Sequence, residues 1–255
     1  MTSGYALLRY RIRAFVRHRR SVRWPPRRWA VLIACVVTAV SVAIGTVSES
    51  RDGMDHHDGG RRTRAAGLLH TLAGVAVLDA RVHRDDYQRS AFGPSWSDDT
   101  SVADSGNGCD TRNDILARDL ADTRRGPVAS CPHAILAGEL HSPYTGQLVV
   151  FRRDRRAAAV QIDHIVPLAF AWDMGAYGWS PQRRADLAND PANLVAVDAH
   201  SNQDKSDSEP GRWMPPDTGF HCQYATEFVM VVAAYQLSID RRSRDVLAAA
   251  LGRCR

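Results

Sequence analysis

The sequence predicts an α+β fold, a mostly helical, disulfide-stabilised domain, because helical periodicity, two strand-like runs and four downstream cysteines occur together. Several segments carry apolar residues at the spacing of one helix face, whereas Ala157–Ile162 is a short apolar run and Asn193–Asp198 alternates. The cysteines beyond the N-terminal region form an even set. With 255 residues and 44% hydrophobic content, the chain can bury one sizeable core.

The N-terminal region has the composition of a membrane-targeting segment. Residues 1–28 contain nine arginines and no acidic residue, and the stretch from Ala30 to Val47 is uncharged. As a helix this stretch covers roughly 27 Å, close to the hydrocarbon thickness of a bilayer. The positive-inside rule therefore predicts a cytoplasmic tail (1–28), a transmembrane segment (29–47) and an extracytoplasmic remainder. A cleaved signal peptide is the alternative, because Ser41-Val42-Ala43 resembles a small-x-small cleavage site, and we favour the uncleaved anchor.

The net charge of +5 belongs to this tail and not to the rest of the chain. Without the nine arginines, 24 basic residues face 28 acidic ones, a balance of about −4. The positive total is therefore no argument for nucleic-acid affinity in the folded part.

The cysteines agree with export. Cys35 lies in the hydrophobic segment, and the four others can pair in three ways. We prefer Cys109–Cys131 with Cys222–Cys254, because each pair closes a local loop. Four free thiols would suit a reducing compartment and would contradict the predicted topology.

The remaining chain divides into a linker and one domain. Residues 48–64 are polar and of mixed charge, which predicts a flexible linker before a domain at 65–255 whose core spans 157–208. The predicted helices are Ala65–Leu78, Arg112–Leu120 (capped near Asp110 or Thr111), His200–Lys205, Tyr224–Leu237 and Arg241–Leu251.

One stretch carries residues suited to phosphodiester hydrolysis. His164 is expected to be mostly neutral at pH 7 and can accept a proton from water. One divalent cation, Mg²⁺ first and Mn²⁺ as the alternative, can neutralise the leaving oxygen while held by one or two protein oxygens. An aspartate and an asparagine, Asp163 and Asn202, suffice for this if a strand–strand–helix hairpin brings them together.

Three details of this hairpin are open to test. Adjacent residues of a regular strand face opposite sides, so the strand must end or twist at Asp163-His164. Asn193 can tie down the loop through hydrogen bonds to the backbone. Lys205, the only lysine beside 32 arginines, lies three residues after Asn202 and is expected to reach a phosphate.

These residues resemble those of the HNH (ββα-metal, His-Me finger) nucleases. The pattern is D-H-I-V-P-L at 163–168, then N-L at 193–194, then N-x-x-K-S at 202–206. From about Tyr87 to Cys254 the chain is similar to exported bacterial HNH-family proteins related to the C-terminal domain of GmrSD-type restriction enzymes. The further matching blocks are C-D-T-R-N at 109–113, P-Y-T-G at 143–146, A-W-x-x-G-A at 171–176, A-N-D-P-A-N-L at 188–194 and W-M-P-P at 213–216.

The resemblance implies an endonuclease with a ββα-metal core. It implies His164 as general base, Asp163 and Asn202 as metal ligands, Asn193 as holder of the active-site loop and Lys205 near the substrate. The third motif position is an asparagine here and not a histidine, which favours Mg²⁺ or Mn²⁺ over Zn²⁺. The expected partner is nucleic acid, DNA before RNA.

Several alternatives stay open at this stage. Arg112 either braces its helix or contacts a phosphate, and the arginines at 152, 153, 155 and 156 either steer nucleic acid or form a solvated loop. Tyr144 is expected to be structural. The acidic balance of the exported part keeps a second hypothesis open, an inactive HNH-fold module that binds DNA or a surface partner. A disulfide-stabilised envelope protein without a nucleic-acid role is the third.

Overall fold

The computed structural model describes residues 63–129 and 131–254, which belong to one compact unit, His57–Arg255. The predicted tail (1–28), the predicted membrane segment (29–47) and nearly all of the predicted linker lie outside the described residues. Within the described ranges, no helix is both long and apolar enough to cross a membrane. Residues 63 and 64 are already helical, so the linker predicted to reach 64 is too long by at least two residues.

The described residues form a mixed α/β structure. The helices are α1 (63–73), α2 (Thr111–Asp119), α3 (Leu168–Asp173), α4 (Pro181–Asn189), α5 (Ala199–Lys205), α6 (His221–Ala234) and α7 (Arg241–Leu251). The strands are β1 (Val77–Leu78), β2 (Ala121–Val128), β3 (Cys131–His141), β4 (Leu148–Arg152), β5 (Val160–His164), β6 (Leu194–Asp198) and β7 (Ile239–Asp240).

A three-stranded antiparallel sheet, β2-β3-β4, is the main feature that the sequence did not predict. Strand β2 has no alternating apolar pattern, contains Pro127 and pairs with β3 through several register shifts. A period-2 signal is therefore missing from this strand. The expectation of a mostly helical domain needs correction, because this sheet is larger than the predicted hairpin.

The strand–strand–helix unit predicted at the core is present. Strands β5 and β6 pair antiparallel, with Asp163 opposite Val195 and His164 opposite Leu194. Helix α5 follows β6 directly, and Asp198 caps it by accepting a hydrogen bond from the backbone of Ser201 at 2.8 Å. Two boundaries differ from the predictions. Residues Ala157–Ala159 form a 3₁₀ turn before β5, and Asn193 ends another 3₁₀ turn before β6.

Strand β6 is buried on both faces, which fixes the register of the hairpin. Leu194 and Ala196 pack into a cluster with α2 and β3, whereas Val195 and Val197 pack into the larger cluster around α6. A shift by one residue would exchange these two sets of side chains between unlike surroundings. The hairpin is therefore held at the junction of two hydrophobic clusters.

The predicted helices are present with some changes of length. Helix α2 begins as predicted, because Asp110 accepts a hydrogen bond from the backbone of Asn113 at 2.8 Å. The prediction of one helix over Ala65–Leu78 is wrong beyond residue 73. Its last residues instead form β1, which pairs in parallel with β7. Helix α7 matches its prediction, and α6 begins and ends three residues earlier than predicted.

Both preferred disulfides are confirmed. Cys109–Cys131 joins the chain just before α2 to β3, and Cys222–Cys254 joins α6 to the residues after α7. Each bridge closes a loop within one local region, and the hairpin lies between them in the chain.

Candidate active site

A cleft of about 630 Å³ opens where β5 ends. Three of the predicted site residues line it: Asp163 and His164 from β5, and Asn202 from α5. Tyr87 and Arg89, from the segment before α2, complete its rim. The predicted site residues are therefore brought together in part, and a region far upstream contributes to the same cleft.

The carboxylate of Asp163 has one engaged oxygen and one free oxygen. Its Oδ2 accepts hydrogen bonds from the hydroxyl of Tyr144 at 2.5 Å and from Nζ of Lys205 at 2.6 Å. No described residue donates to Oδ1, and this atom is not among the buried polar atoms that lack a partner. Because Asp163 is 6% exposed and lines the cleft, Oδ1 is accessible there. This leaves one carboxylate oxygen for a ligand.

Lys205 lies on the inner side of this carboxylate and not in the cleft. Its side chain is fully buried, and Nζ donates to Asp163 Oδ2 and to the carbonyl oxygen of His164, both at 2.6 Å. Burial lowers the pKa of Lys205, and the charge of Asp163 opposes this shift. The expectation that Lys205 reaches a phosphate needs correction, because its ammonium group holds the end of β5 and has no exposed surface.

The imidazole of His164 is fixed by two neighbours. Its Nε2 lies 2.9 Å from the carbonyl oxygen of Ala188. Because a carbonyl only accepts, we assign the proton to Nε2, which leaves a lone pair on Nδ1. The indole of Trp96 stacks on the ring, with centroids 5.7 Å apart and planes 9° apart. No described residue donates to Nδ1.

His164 is neutral at physiological pH. Burial lowers its pKa to about 3, the carbonyl of Ala188 opposes this shift, and the charges of Arg89 and Lys205 add to it. A neutral imidazole with an unoccupied Nδ1 can accept a proton. The difficulty of two adjacent strand residues serving one site is resolved because β5 ends at His164, and both residues line the cleft.

Asn193 holds the chain that leaves His164. Its Oδ1 accepts from the backbone of Val166 at 2.8 Å, and its Nδ2 donates to the carbonyls of Val166 and Leu187 at 3.3 and 3.2 Å. Its own carbonyl accepts from the backbone of Ile165 at 2.8 Å. These are hydrogen bonds of the kind expected from the sequence. The side chain is fully buried, so any effect on catalysis must act through position.

Asn202 joins α5 to β5 at the rim of the cleft. Its Nδ2 donates to Oε1 of Gln161 at 2.7 Å, which leaves its Oδ1 without a donor among the described residues. Oδ1 of Asn202 and Oδ1 of Asp163 are hard oxygen donors in one cleft. They fit Mg²⁺, a cation that keeps several waters and needs few protein ligands. The described ranges contain no group of three or more histidine, cysteine, aspartate or glutamate side chains placed to hold a metal.

Arg112 lies outside the cleft. Its Nη2 donates to the carbonyls of Ala157 and Val160 at 3.0 Å each, at the start of β5. Burial lowers its pKa, and the nearby charge of Arg153 adds to this effect. Arg112 thus ties α2 to the start of β5 and does not brace its own helix as considered from the sequence. The expected phosphate contact needs correction, because the guanidinium is bound to these carbonyls and Arg112 does not line the cleft.

The sequence pattern gives no indication of the contacts of Tyr144, Gln161 and Trp96, or of the position of Arg89 at the cleft. Tyr144 was expected to be only structural, although the P-Y-T-G block that contains it was one of the matching motifs. Its hydroxyl binds Asp163, 19 positions away. Trp96 and Arg89 lie in a segment without a local signal, so nothing in the sequence pattern pointed to them.

Comparison with known proteins places the chain among nuclease-related domains of restriction enzymes. The family of the C-terminal domain of GmrSD restriction endonucleases matches residues 110–250, and the chain belongs to this family. The chain is also 35% identical over 192 residues to an uncharacterized secreted protein of Arthroderma benhamiae, which covers 74% of this chain and 86% of that protein. No solved structure matches the chain.

Proposed function

We propose that this protein is a metal-dependent HNH-type endonuclease that hydrolyses phosphodiester bonds in nucleic acid, with DNA as the expected substrate. The observation that carries the proposal is the cleft at the end of β5. Asp163, Asn202 and His164 all line this cleft. Oδ1 of Asp163, Oδ1 of Asn202 and Nδ1 of His164 accept no hydrogen bond from a described residue, so each can bind a ligand or a proton. Membership of a restriction-endonuclease family supports the same reaction class.

His164 acts as the general base in this proposal. Nδ1 takes a proton from a water molecule, whose oxygen attacks phosphorus while the bond to the leaving oxygen breaks. Ala188 and Trp96 keep the ring oriented, so little reorganisation is needed. A pKa of about 3 makes this imidazole a weak base. An anionic phosphate beside the ring favours the protonated form and raises its proton affinity.

Asp163 and Asn202 would hold one divalent cation, Mg²⁺ or Mn²⁺, through their free oxygens. When bound, the cation supplies positive charge for the phosphate and the leaving oxyanion. Lys205 and Tyr144 engage the second oxygen of Asp163, which directs the first toward the cleft. Asn193 keeps the loop after His164 in place.

A nicking assay tests the proposal. The full-length chain in detergent is incubated with supercoiled plasmid and Mg²⁺ or Mn²⁺. We expect nicking that stops when EDTA is added. Nicking should fall at least 100-fold in His164→Ala, because general-base catalysis contributes about 10²–10⁴-fold. It should also fall in Asn202→Ala. His133→Ala, an exposed histidine on β3, is the matched control and should retain full activity. Equal nicking activity in His164→Ala and the parent would contradict the proposal.

The nuclease is proposed to work outside the cytoplasmic membrane. Residues 29–47 would anchor it as a single pass, or the chain would be secreted if this segment is cleaved. Two disulfides suit an oxidising compartment, and the relative from Arthroderma benhamiae is described as secreted. Protease added to intact cells should degrade the domain of an anchored chain, and N-terminal sequencing of the mature protein separates anchor from signal peptide. Protection from protease in intact cells, with no protein in the medium, would contradict this location.

A second candidate is an inactive HNH-fold module that binds nucleic acid or a surface partner. The low pKa of His164, about 3, favours it, because such an imidazole is a poor base without help from a ligand. DNA retention that survives both EDTA and His164→Ala, with no nicking by the parent, would support this candidate over catalysis.

A further inference from the structure

The cleft has one cationic side chain among the described residues that line it, and that side chain is Arg89. Lys205 is buried behind Asp163, and Arg112 binds two carbonyls elsewhere. A nuclease cleft must accommodate the negative charge of the phosphate backbone. Lys205 and Arg112, the two cationic residues that the sequence suggested for binding phosphate, are bound to other groups of the protein. Arg89 is therefore the cationic side chain left to bind phosphate in this cleft.

The guanidinium of Arg89 interacts with the side chain of Tyr87 and keeps further N–H groups for a ligand. The side chain is exposed. None of the ion pairs among the described residues joins Arg89 to a carboxylate. Other arginines of the same segment differ in this respect. Arg81 pairs with Asp173, Asp207 and Glu209, and Arg84 pairs with Asp86. Arg89 is thus an arginine that the fold leaves unneutralised beside His164.

The backbone that carries Arg89 is firmly placed. Arg89–Phe92 forms a 3₁₀ turn whose last residue, Phe92, is 1% exposed in the main hydrophobic cluster. The carbonyl of Ala91 accepts a hydrogen bond from Nε of Arg184 in α4 at 2.8 Å. The same side chain borders both the main cleft and a small cavity of about 20 Å³ on the Trp96 side of His164. Arg89 therefore stands next to the reacting imidazole from a fixed turn.

We propose that Arg89 binds a non-bridging oxygen of the nucleic-acid phosphate that lies in the cleft. A planar guanidinium can donate two parallel hydrogen bonds to a phosphate. The inference rests on the proposed function and adds to it a substrate contact from a segment that precedes the family match at residues 110–250. It predicts that a fragment limited to residues 110–250 lacks this phosphate contact.

The test measures binding separately from cleavage. Affinity for a duplex oligonucleotide is measured at several salt concentrations with the full-length chain carrying His164→Ala, in EDTA. The slope of log affinity against log salt changes by about 0.9 for each phosphate contact on duplex DNA. We expect Arg89→Ala to reduce the slope by about 0.9 and to weaken binding, whereas Arg89→Lys keeps the slope. Arg244→Ala, an arginine of α7 that does not line the cleft, is the matched control and should leave the slope unchanged.

The outcomes separate this inference from the proposed function. A parent that nicks DNA while Arg89→Ala leaves the slope unchanged overturns the inference alone. An equal reduction of the slope in Arg89→Ala and Arg244→Ala also overturns the inference, because it would reflect the change in net charge and not a contact in the cleft. A parent that neither nicks nor binds DNA overturns both. Thermal unfolding of each variant would reveal whether Arg89→Ala lowers stability. If it does, Arg89→Lys still tests the inference, because it keeps the positive charge: a reduced slope in a stably folded Arg89→Lys would contradict the phosphate contact.

Discussion

The indole of Trp96 lies parallel to the imidazole of His164, with ring centroids 5.7 Å apart, although the two residues are far apart in the chain. Trp96 has a φ of 59°, a backbone conformation that is unfavourable for a bulky residue. Such strain persists where the surrounding structure requires it, and it occurs often at functional sites. Trp96 is therefore a positioning residue for the proposed base.

Replacing Trp96 should affect turnover more than substrate affinity. In Trp96→Ala the imidazole loses its stacking partner and gains contact with water, so we expect kcat to fall about 10–100-fold with a small change in KM, as a misplaced catalytic group costs on this scale. The pKa of His164 should rise from about 3 toward its ordinary value. The measurement is the acid limb of the pH profile of kcat/KM. Trp96→Phe, which keeps a stacking ring, should stay close to the parent, and an acid limb that does not move in Trp96→Ala would contradict the stacking role.

Removing the buried cation should destabilise the fold. In Lys205→Met the carboxylate of Asp163 loses its charge partner, and a broken buried pair costs about 3–5 kcal/mol. Urea unfolding monitored by circular dichroism measures this change. The double variant Asp163→Asn with Lys205→Met should recover part of the lost stability, because the uncompensated charge is then absent. Equal stability of the two variants would mean that the pair carries no such coupling.

Asn193 offers a test of loop positioning. Asn193→Ala leaves the backbone groups of Val166 and Leu187 without their partners, which should cost about 1–3 kcal/mol for each unsatisfied group. Asn193→Asp should be no better, because a carboxylate would face two carbonyl oxygens. Both variants are compared with the parent by urea unfolding. If Asn193→Asp were as stable as the parent, the assigned orientation of the amide would be wrong.

Acid should destabilise the protein through His164. The pKa of His164 is about 3 in the folded state and about 6.5 when the chain is unfolded. Between these two pH values the unfolded state binds a proton at His164 and the folded state does not. The penalty is absent above pH 6.5 and grows by up to about 1.4 kcal/mol per pH unit as the pH falls through this window. Unfolding free energies at pH 7 and pH 4.5 should differ less in His164→Gln than in the parent. An equal pH dependence in both proteins would exclude this contribution.

The parts of the fold that the sequence predicted are those encoded locally. The cap at Asp110, helix α7 and the strand–strand–helix order each follow from residues that are close in the chain. The disulfide pairing could also be predicted, because each bridge joins cysteines of one local region of the chain. Strand β2 was missed because its arginines, glycine and proline give no alternating pattern.

The shared position of the three main candidate residues agrees with the sequence, whereas their roles stay predictions and their charged partners were not predicted. Asp163, His164 and Asn202 meet at one cleft, as the motif spacing suggested. The rarity of lysine marked Lys205 as special, yet spacing alone does not tell which side of the carboxylate its ammonium occupies. The hydroxyl of Tyr144 and the indole of Trp96 reach the site through contacts made only by the folded chain, so no local pattern reports them.

The burial of Lys205 also determines which covalent chemistry the native protein can undergo. Since this is the sole lysine in the sequence and it is fully enclosed, the described domain presents no side-chain amine to acylating reagents while it stays folded. Amine-directed labels would attach there only after the hairpin opens. The extent of labelling at this one position would therefore follow the opening of the core that supports Asp163.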